Sequence, residues 1–260
     1  MPFPRLVQLD GELILPSILI PSKGTAMRIS CEDIENTCPE SDIYNLLLEM
    51  DDKHIVELGC GNAEHTRLIA TSGHNRVVTA FEVDEVAHAK NLAAEGLPNL
   101  TFGMAGAQDI PLADNSADIV LMFKSLHHVP LDLLDQTLLE IKRILKPGGL
   151  AYISEPVFAG DFNEILRLFH DEEVVRKAAF EAVERAVEQG TFELAKEVFF
   201  NSPRVFADFA EYESQTLNVS HSDHQLDDEL FAEVKRRFEA QCTPEGASFV
   251  MPIRVHLLKA

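Results

Sequence analysis

Between residues 51 and 156 short apolar runs alternate with stretches whose apolar positions recur at helical spacing. Ile55-Val56-Glu57-Leu58 reads as a buried strand that ends in the turn Gly59-Cys60-Gly61, with a helix starting near Asn62-Ala63. Val77 to Phe81, Leu100 to Met104, Ala117 to Phe123 and Leu150 to Ser154 read as four further strands. Between them, Glu85 to Glu95 has helical spacing, and Leu131 to Leu145 sets Leu134, Leu138, Ile141 and Leu145 on one stripe before Lys146-Pro147-Gly148-Gly149 stops it. Ser41 to Met50 is a short amphipathic helix ahead of the first strand. This alternation predicts an α/β fold with a doubly wound, mostly parallel sheet.

The texture changes on either side of that core. Residues 1–50 form an N-terminal cap, rich in proline and turn formers over its first forty positions. Residues 51–156 form the core, and residues 157–225 read as a mostly helical insertion after the fifth strand, covering the mouth of the site. Within that insertion Thr216 to Ser220 reads as a strand, and its many phenylalanines are expected to be core between helices and sheet. Residues 226–260 supply a helix, Leu226 to Glu239, and a closing strand, Phe249 to Leu258, in which Pro252 argues for an edge position or a bulge.

Composition narrows the classes. The 260 residues are 46% hydrophobic and 25% charged, as in a globular protein, with a formal net charge of −21. That charge opposes long-range attraction to nucleic acid or an anionic membrane. The four cysteines, Cys31, Cys38, Cys60 and Cys242, have no CxxC spacing and fit a reducing, cytoplasmic setting. Asp10, Glu12 and Pro16 argue against reading the apolar Leu13 to Ile20 run as a signal peptide.

The chemistry begins at the glycine turn. Glycines allow positive φ and close approach of bare main chain to a ligand, and the following helix offers free N–H groups. Glu57, two positions before the first glycine, would repel a diphosphate but attract an ammonium group. The pair points to a nucleoside that carries an amino acid. Glu82 ends the second strand about twenty residues beyond Gly61, the spacing at which such folds place an acid on ribose hydroxyls. Asp84 competes for that role, and Glu82 is preferred because it directly follows the strand.

These residues, together with Asp109-Ile110-Pro111-Leu112-Ala113-Asp114-Asn115-Ser116-Ala117-Asp118, Leu126-His127-His128-Val129 and Arg143-Ile144-Leu145-Lys146-Pro147-Gly148-Gly149, form an ordered set. Over roughly residues 53–155 the chain resembles class I S-adenosylmethionine-dependent methyltransferases of the small-molecule type found in ubiquinone and menaquinone biosynthesis. The resemblance implies a Rossmann-like methyltransferase fold and S-adenosylmethionine as cofactor. It implies that Gly59, Cys60 and Gly61 line the methionine moiety, that Glu57 favours its ammonium, and that Glu82, with Val83 beside it, holds the ribose. Ala107 and Gln108 would face the adenine, and Lys124 with Ser125 would lie near the methionine and the transferred methyl. The chain departs from that pattern at Ala63, where many relatives carry a third glycine, and at Gly106, where many carry an aspartate that accepts from the adenine amino group; Gln108 or a backbone carbonyl would have to replace it.

Methyl transfer needs alignment and exclusion of water more than a fixed triad, because the sulfonium is already a good leaving group. Candidate acid–base residues are His127 and His128 after the fourth strand, Glu155 at the end of the fifth, and His221 and His224 flanking Asp223. No resident metal is expected. The expected function is methyl transfer to a small-molecule acceptor, without nucleic acid or membrane, with homodimerisation left open. The alternatives are a non-catalytic S-adenosylmethionine-binding or partner-regulating protein, and a protein or RNA methyltransferase, which the acidic charge and the absence of an NPPY-like tetrapeptide disfavour.

Overall fold

The computed structural model describes residues 26–218 and 226–260, together with the backbone of the two-residue strands Gln8–Leu9, Glu12–Leu13 and Ile18–Leu19. The core strands are β1 (His54–Leu58), β2 (Val77–Glu82), β3 (Leu100–Met104), β4 (Ala117–Phe123) and β5 (Leu145–Pro156), and two long strands follow, β6 (Glu193–Phe206) and β7 (Gly246–Lys259). The helices are α1 (Glu40–Leu47), α2 (Glu64–Thr71), α3 (Glu85–Ala93), α4 (Leu134–Ile144), α5 (Asp161–Leu166), α6 (Glu173–Glu188), α7 (Phe209–Tyr212) and α8 (Asp228–Glu239).

One sheet carries the order Ile18–Leu19, β6, β7, β5, β4, β1, β2, β3. The pairs β1·β2, β1·β4, β2·β3 and β4·β5 are parallel, whereas β7 runs antiparallel to both β5 and β6. The chain therefore winds outward from β1 in one direction and returns through β4 in the other. The strand order reverses between β1 and β4, which is where such sheets open a crevice beyond their carboxyl ends. This is the doubly wound, Rossmann-like sheet that the alternation predicts.

Both faces of the sheet are covered. Along β4, Ile119, Leu121 and Phe123 join one apolar cluster with Ile43, Leu47 and Ile69, while Val120 and Met122 join the other with Leu138, Ile141 and Val183. Alternation within a continuous apolar run is what a strand buried on both sides requires. The motif residues around 109–118 are held by Arg143, which donates to the carbonyls of Ile110 and Leu112 at 2.8 Å each and to Asp114 at 2.8 Å. Leu145 opens β5 rather than ending α4, and Gly148-Gly149 pair with the C-terminal residue through Gly148 N–H to Ala260 O at 3.0 Å and Ala260 N–H to Gly149 O at 2.9 Å.

The region after β5 corrects two expectations. Residues 193–206, read as part of a mostly helical insertion, form the long strand β6. Residues 213–217 form a π-helical turn, so Thr216 and Leu217 do not open the strand expected over Thr216 to Ser220, whose last two residues lie outside the described ones. Pro252 stands at a local edge, as expected, and not at a bulge: β5 pairs with β7 only as far as Ile253, so at Pro252 that side of β7 has no ladder, and the register shift falls at Leu257/Leu258. Pro252 O accepts from Val157 N–H at 2.8 Å, so the missing Pro252 N–H faces the same side, beyond the last β5 pair, Pro156 with Ile253. No β6 ladder bond is lost there.

Past that pair, β6 and β7 continue as a two-stranded ribbon to Phe206 and Ala247, overhanging the carboxyl end of the sheet. An aromatic cluster of Phe162, Phe206, Tyr212, Phe238 and Phe249 holds α5, α7 and α8 against it. Cys38 N–H donates to Asn201 O at 3.1 Å, and Asn201 N–H donates to Asn36 O at 2.8 Å. These bonds lay the segment before α1 along the ribbon and set Glu40 beside the crevice. Among the described residues no helix is long and apolar enough to cross a membrane.

Candidate functional site

The turn after β1 is made of main chain. Gly59 and Cys60 N–H groups both donate to Phe81 O, at 2.9 and 3.1 Å, which ties the turn to β2. Gly59 has φ +70°, and a Cβ there would lie 2.7 Å from Ser125 Cβ, so the close approach of the β1 and β4 ends needs glycine. Gly61 has φ +53° with nothing within 4 Å of its would-be Cβ, so the space beside its Cα is open. Ala63 adopts φ 60° at the N-cap of α2, a left-handed conformation that costs a residue with a side chain about 1 kcal/mol. The position still uses the geometry that a third glycine would supply. Cys60 is buried, and burial together with the Glu57 and Glu82 charges pushes its thiol pKa up, so it is a packed group and not a nucleophile.

Glu82 and Asp84 have separate roles. Asp84 caps α3, accepting from Val86 and Ala87 N–H at 2.7 and 3.2 Å. Glu82, nearly buried, accepts from Gly61 N–H at 2.5 Å through Oε2 and from Val83 and Asp84 N–H at 2.8 and 2.9 Å through Oε1. Its carboxylate therefore stands across the crevice between the glycine turn and the end of β2, while Val83 is exposed beside it. Asn91 completes the frame, donating from Nδ2 to Gly61 O at 2.8 Å. Asn91 is the buried residue of α3, and a polar residue on the inward stripe of an otherwise exposed helix is the signal that could have revealed it.

Glu57 is buried and accepts from Thr66 Oγ1 at 2.7 Å. Burial pushes its pKa up to about 8 despite the Thr66 hydrogen bond and the Lys124 charge, so it stands protonated at neutral pH. On the β4 side, Lys124 takes φ 55°, and its Nζ reaches Glu40 Oε2 at 2.6 Å. Phe123 packs against Tyr44, Tyr152 and His65 with ring centroids 5.6, 5.6 and 4.6 Å apart. Glu40, Tyr44, His65 and Thr66 were not singled out in the sequence. They come from α1 and the first turn of α2, and nothing in their local pattern separates them from ordinary helix residues.

At the far side of the crevice the Gln108 side chain folds back over Gly106. A Cβ on Gly106 would meet Gln108 Oε1 at 2.3 Å and Nε2 at 2.4 Å. The carboxamide thus occupies the space that a side chain at position 106 would fill, and Ala107 is buried beneath it. Gln136 Nε2 fixes this turn by donating to Gln108 O at 2.8 Å.

The acid–base candidates divide three ways. His127 and Glu155 are both buried and bonded to each other, His127 Nδ1 to Glu155 Oε2. Leu126 N–H donates to the other Glu155 oxygen at 2.9 Å, and His127 Nε2 lies 3.4 Å from Glu172 Oε1. Glu172 also holds Arg176 at 2.6 Å and His170 at 2.8 Å. Burial works against charge on His127, but the two carboxylates outweigh it and lift its pKa to about 9. Both ring nitrogens then carry protons, so His127 has no lone pair with which to accept another, and Glu155 is committed to His127 and not turned toward an acceptor. His128 is exposed, its ring 4.1 Å from that of His127. His221 and His224 lie outside the described residues. Ligand atoms of His127, His128 and Glu172 lie within 4.8 Å of one another, a grouping that could hold a cation only by competing with Arg176 and Glu155.

Comparison with known proteins agrees with this geometry. Residues 56–153 match the family described as Methyltransferase domain. A probable S-adenosylmethionine-dependent methyltransferase of Mycobacterium tuberculosis is 26% identical over 188 residues, covering 66% of this chain and 65% of that one. The 27-O-demethylrifamycin SV methyltransferase of Amycolatopsis mediterranei is 33% identical over 101 residues, covering 36% of this chain and 35% of that one. The chain thus spans less than two thirds of these relatives' lengths. Among solved structures, the YcgJ protein of Bacillus subtilis superposes with a TM-score of 0.58 at 15% identity, covering 85% of this chain and 96% of that one. The [4+2]-cyclase SpnF superposes with a TM-score of 0.52 at 17% identity, covering 84% and 79%. The fold is shared with these structures, and residues 56–153 are similar to the methyltransferase domain family.

Proposed function

We propose that this chain is an enzyme that transfers the methyl group of S-adenosylmethionine to a small-molecule acceptor. The observation that carries the reading is the pairing of Glu82 with the Gly61 turn, beside a buried and protonated Glu57, at the reversal of strand order. The residues present fit the cofactor. Open main chain at Gly61 can lie against the amino-acid end, Glu57 can ionise to meet its ammonium, and Glu82 can accept from ribose hydroxyls. Ala107 N–H and the Gln108 carboxamide can meet the adenine edge.

The cofactor supplies an electrophilic methyl on a sulfonium. The chain supplies orientation and dryness: Tyr44 and Phe123 wall the crevice, and the β6–β7 ribbon with α5 and α8 overhangs its mouth. The net charge of −21 favours a small acceptor over nucleic acid, and one of the relatives is a 27-O-demethylrifamycin SV methyltransferase.

Because the same fold also carries a cyclase, activity needs a direct test. S-adenosylhomocysteine is expected to raise the melting temperature, and methyl-labelled S-adenosylmethionine to label a component of a metabolite extract. Stabilisation by NAD and not by S-adenosylhomocysteine would overturn the cofactor. Tight S-adenosylhomocysteine binding with no label transferred would favour a binding protein.

A further inference from the structure

We propose that His65 is the proton acceptor of the reaction and that the acceptor group is a hydroxyl on an apolar body. This rests on the methyltransferase reading and adds to it the residue and the substrate class.

His65 stands in the first turn of α2, four residues beyond Gly61, and its ring is clamped between Phe123 at 4.6 Å and Tyr44 at 5.8 Å, the latter edge-on at 88°. Phe123 ends β4, and α2 follows the turn after β1, so the ring sits where the strand order reverses. The side chain is half-buried, and among the described residues neither of its ring nitrogens has a hydrogen-bond partner. The other described histidines near the sheet are engaged: His54 by Ser116 and Thr79, His127 by Glu155, and His256 faces Glu197. Of these described histidines, His65 alone keeps unpartnered nitrogens that are not fully buried.

The charged groups facing it come from four elements: Glu40 on α1, Glu64 on its own helix, Lys124 after β4 and Arg204 on β6. Burial outweighs the acidic pair and lowers its pKa, so the imidazole is neutral at physiological pH and carries a lone pair. A neutral imidazole between aromatic walls suits a group that donates one hydrogen bond and has an apolar remainder. Carboxylate acceptors need no base, and Glu40 and Glu64 would repel them.

In the step, a new bond forms between the acceptor oxygen and the methyl carbon as the carbon–sulfur bond breaks, its electron pair leaving on sulfur as a neutral thioether. The hydroxyl proton passes to His65, and the resulting imidazolium returns it to solvent. Glu40 and Glu64 stabilise that imidazolium.

The test uses the full chain with 4-methylphenol and benzyl alcohol as hydroxyl probes, beside benzoate, benzylamine and thiophenol. With 13C-labelled histidine, one resonance, absent from His65→Gln, is expected to titrate below 6.5 and to shift when a hydroxyl probe is added in the presence of S-adenosylhomocysteine. With methyl-labelled S-adenosylmethionine, transfer to a hydroxyl probe is expected to fall on the acid side with that same midpoint. His65→Gln is expected to lower kcat about a hundredfold or more, lose the acid limb and regain rate with added imidazole. Its affinity for S-adenosylhomocysteine and melting temperature are expected to stay near wild type. Retention of the wild-type rate or acid limb in His65→Gln, or transfer confined to non-hydroxyl probes or to none, overturns the proposal while S-adenosylhomocysteine still binds. Failure of the wild type to bind S-adenosylhomocysteine would instead overturn the underlying reading.

Discussion

Glu82 and Gly61, 21 residues apart, are joined by a hydrogen bond of 2.5 Å from the Gly61 N–H to Glu82 Oε2. The bond fixes the end of β2 against the turn after β1, so the acid expected to hold a ribose also shapes the loop expected to hold the amino-acid end. Charge-assisted hydrogen bonds of this kind contribute about 1.5–3 kcal/mol each. Glu82→Ala is therefore expected to lower the melting temperature and to weaken S-adenosylhomocysteine binding at least tenfold by calorimetry. Unchanged affinity in a folded Glu82→Ala protein would remove Glu82 from the site.

Glu57, with its pKa near 8, should hand its proton to solvent when an ammonium arrives. At pH 7, S-adenosylhomocysteine binding is expected to release close to one proton, read from the dependence of the binding enthalpy on buffer ionisation enthalpy. At pH 9 the carboxylate is already charged and the release should vanish. Glu57→Gln should show none at either pH; equal release from that variant would assign the proton elsewhere.

The Gln108 carboxamide fills the space above Gly106. Gln108→Ala is expected to weaken S-adenosylhomocysteine binding by about 0.5–1.5 kcal/mol, the worth of one hydrogen bond. Adding Gly106→Asp to that variant is expected to restore affinity, whereas Gly106→Asp alone crowds Gln108. If the double variant binds no better than Gln108→Ala, the carboxamide is a filler and not an adenine contact.

The His127–Glu155 pair sets a pH dependence of stability. His127 is lifted from 6.5 to about 9 in the folded chain, so its contribution is full below 6.5 and is lost as pH rises through about 9. Glu155 and Glu172 are held below the usual 4.5, because the His127 charge and its hydrogen bonds outweigh the effect of burial, so their contribution is present above 4.5 and lost as pH falls below it. The pair's contribution to the melting temperature is expected to be greatest between about 5 and 6.5 and to decline towards pH 9, on top of the stability that Glu57 loses as pH rises through about 8. His127→Gln leaves Glu155 buried without the cation it bonds, while Glu172 keeps Arg176; the loss costs about 3–5 kcal/mol and should reduce the alkaline decline. A decline of unchanged size in that variant would place its origin outside the pair.

The local code carried much of this far. Apolar runs at β1 and β4, the positive-φ glycines, and an acid at the end of β2 each act through energies set within a few residues, so they are legible in sequence. The same holds for Asp84, whose side chain caps the helix that starts next to it. The code misled at Glu193-Leu194-Ala195-Lys196-Glu197, good helix formers that nonetheless begin a strand, because pairing along most of β7 outweighs a few tenths of a kcal/mol per residue of propensity.

What the sequence determined by itself is the frame: a parallel α/β sheet with a glycine turn and one acid at its crevice. Tertiary structure alone decided which side chains meet there. Lys124 finds Glu40 from 84 residues away, His127 is claimed by carboxylates from β5 and the start of α6, and among the described residues His65 is left without a hydrogen-bond partner between two aromatic rings. Periodicity reports which face of an element is buried, but a partner on another element depends on how the chain closes, and that closure is a property of the whole fold.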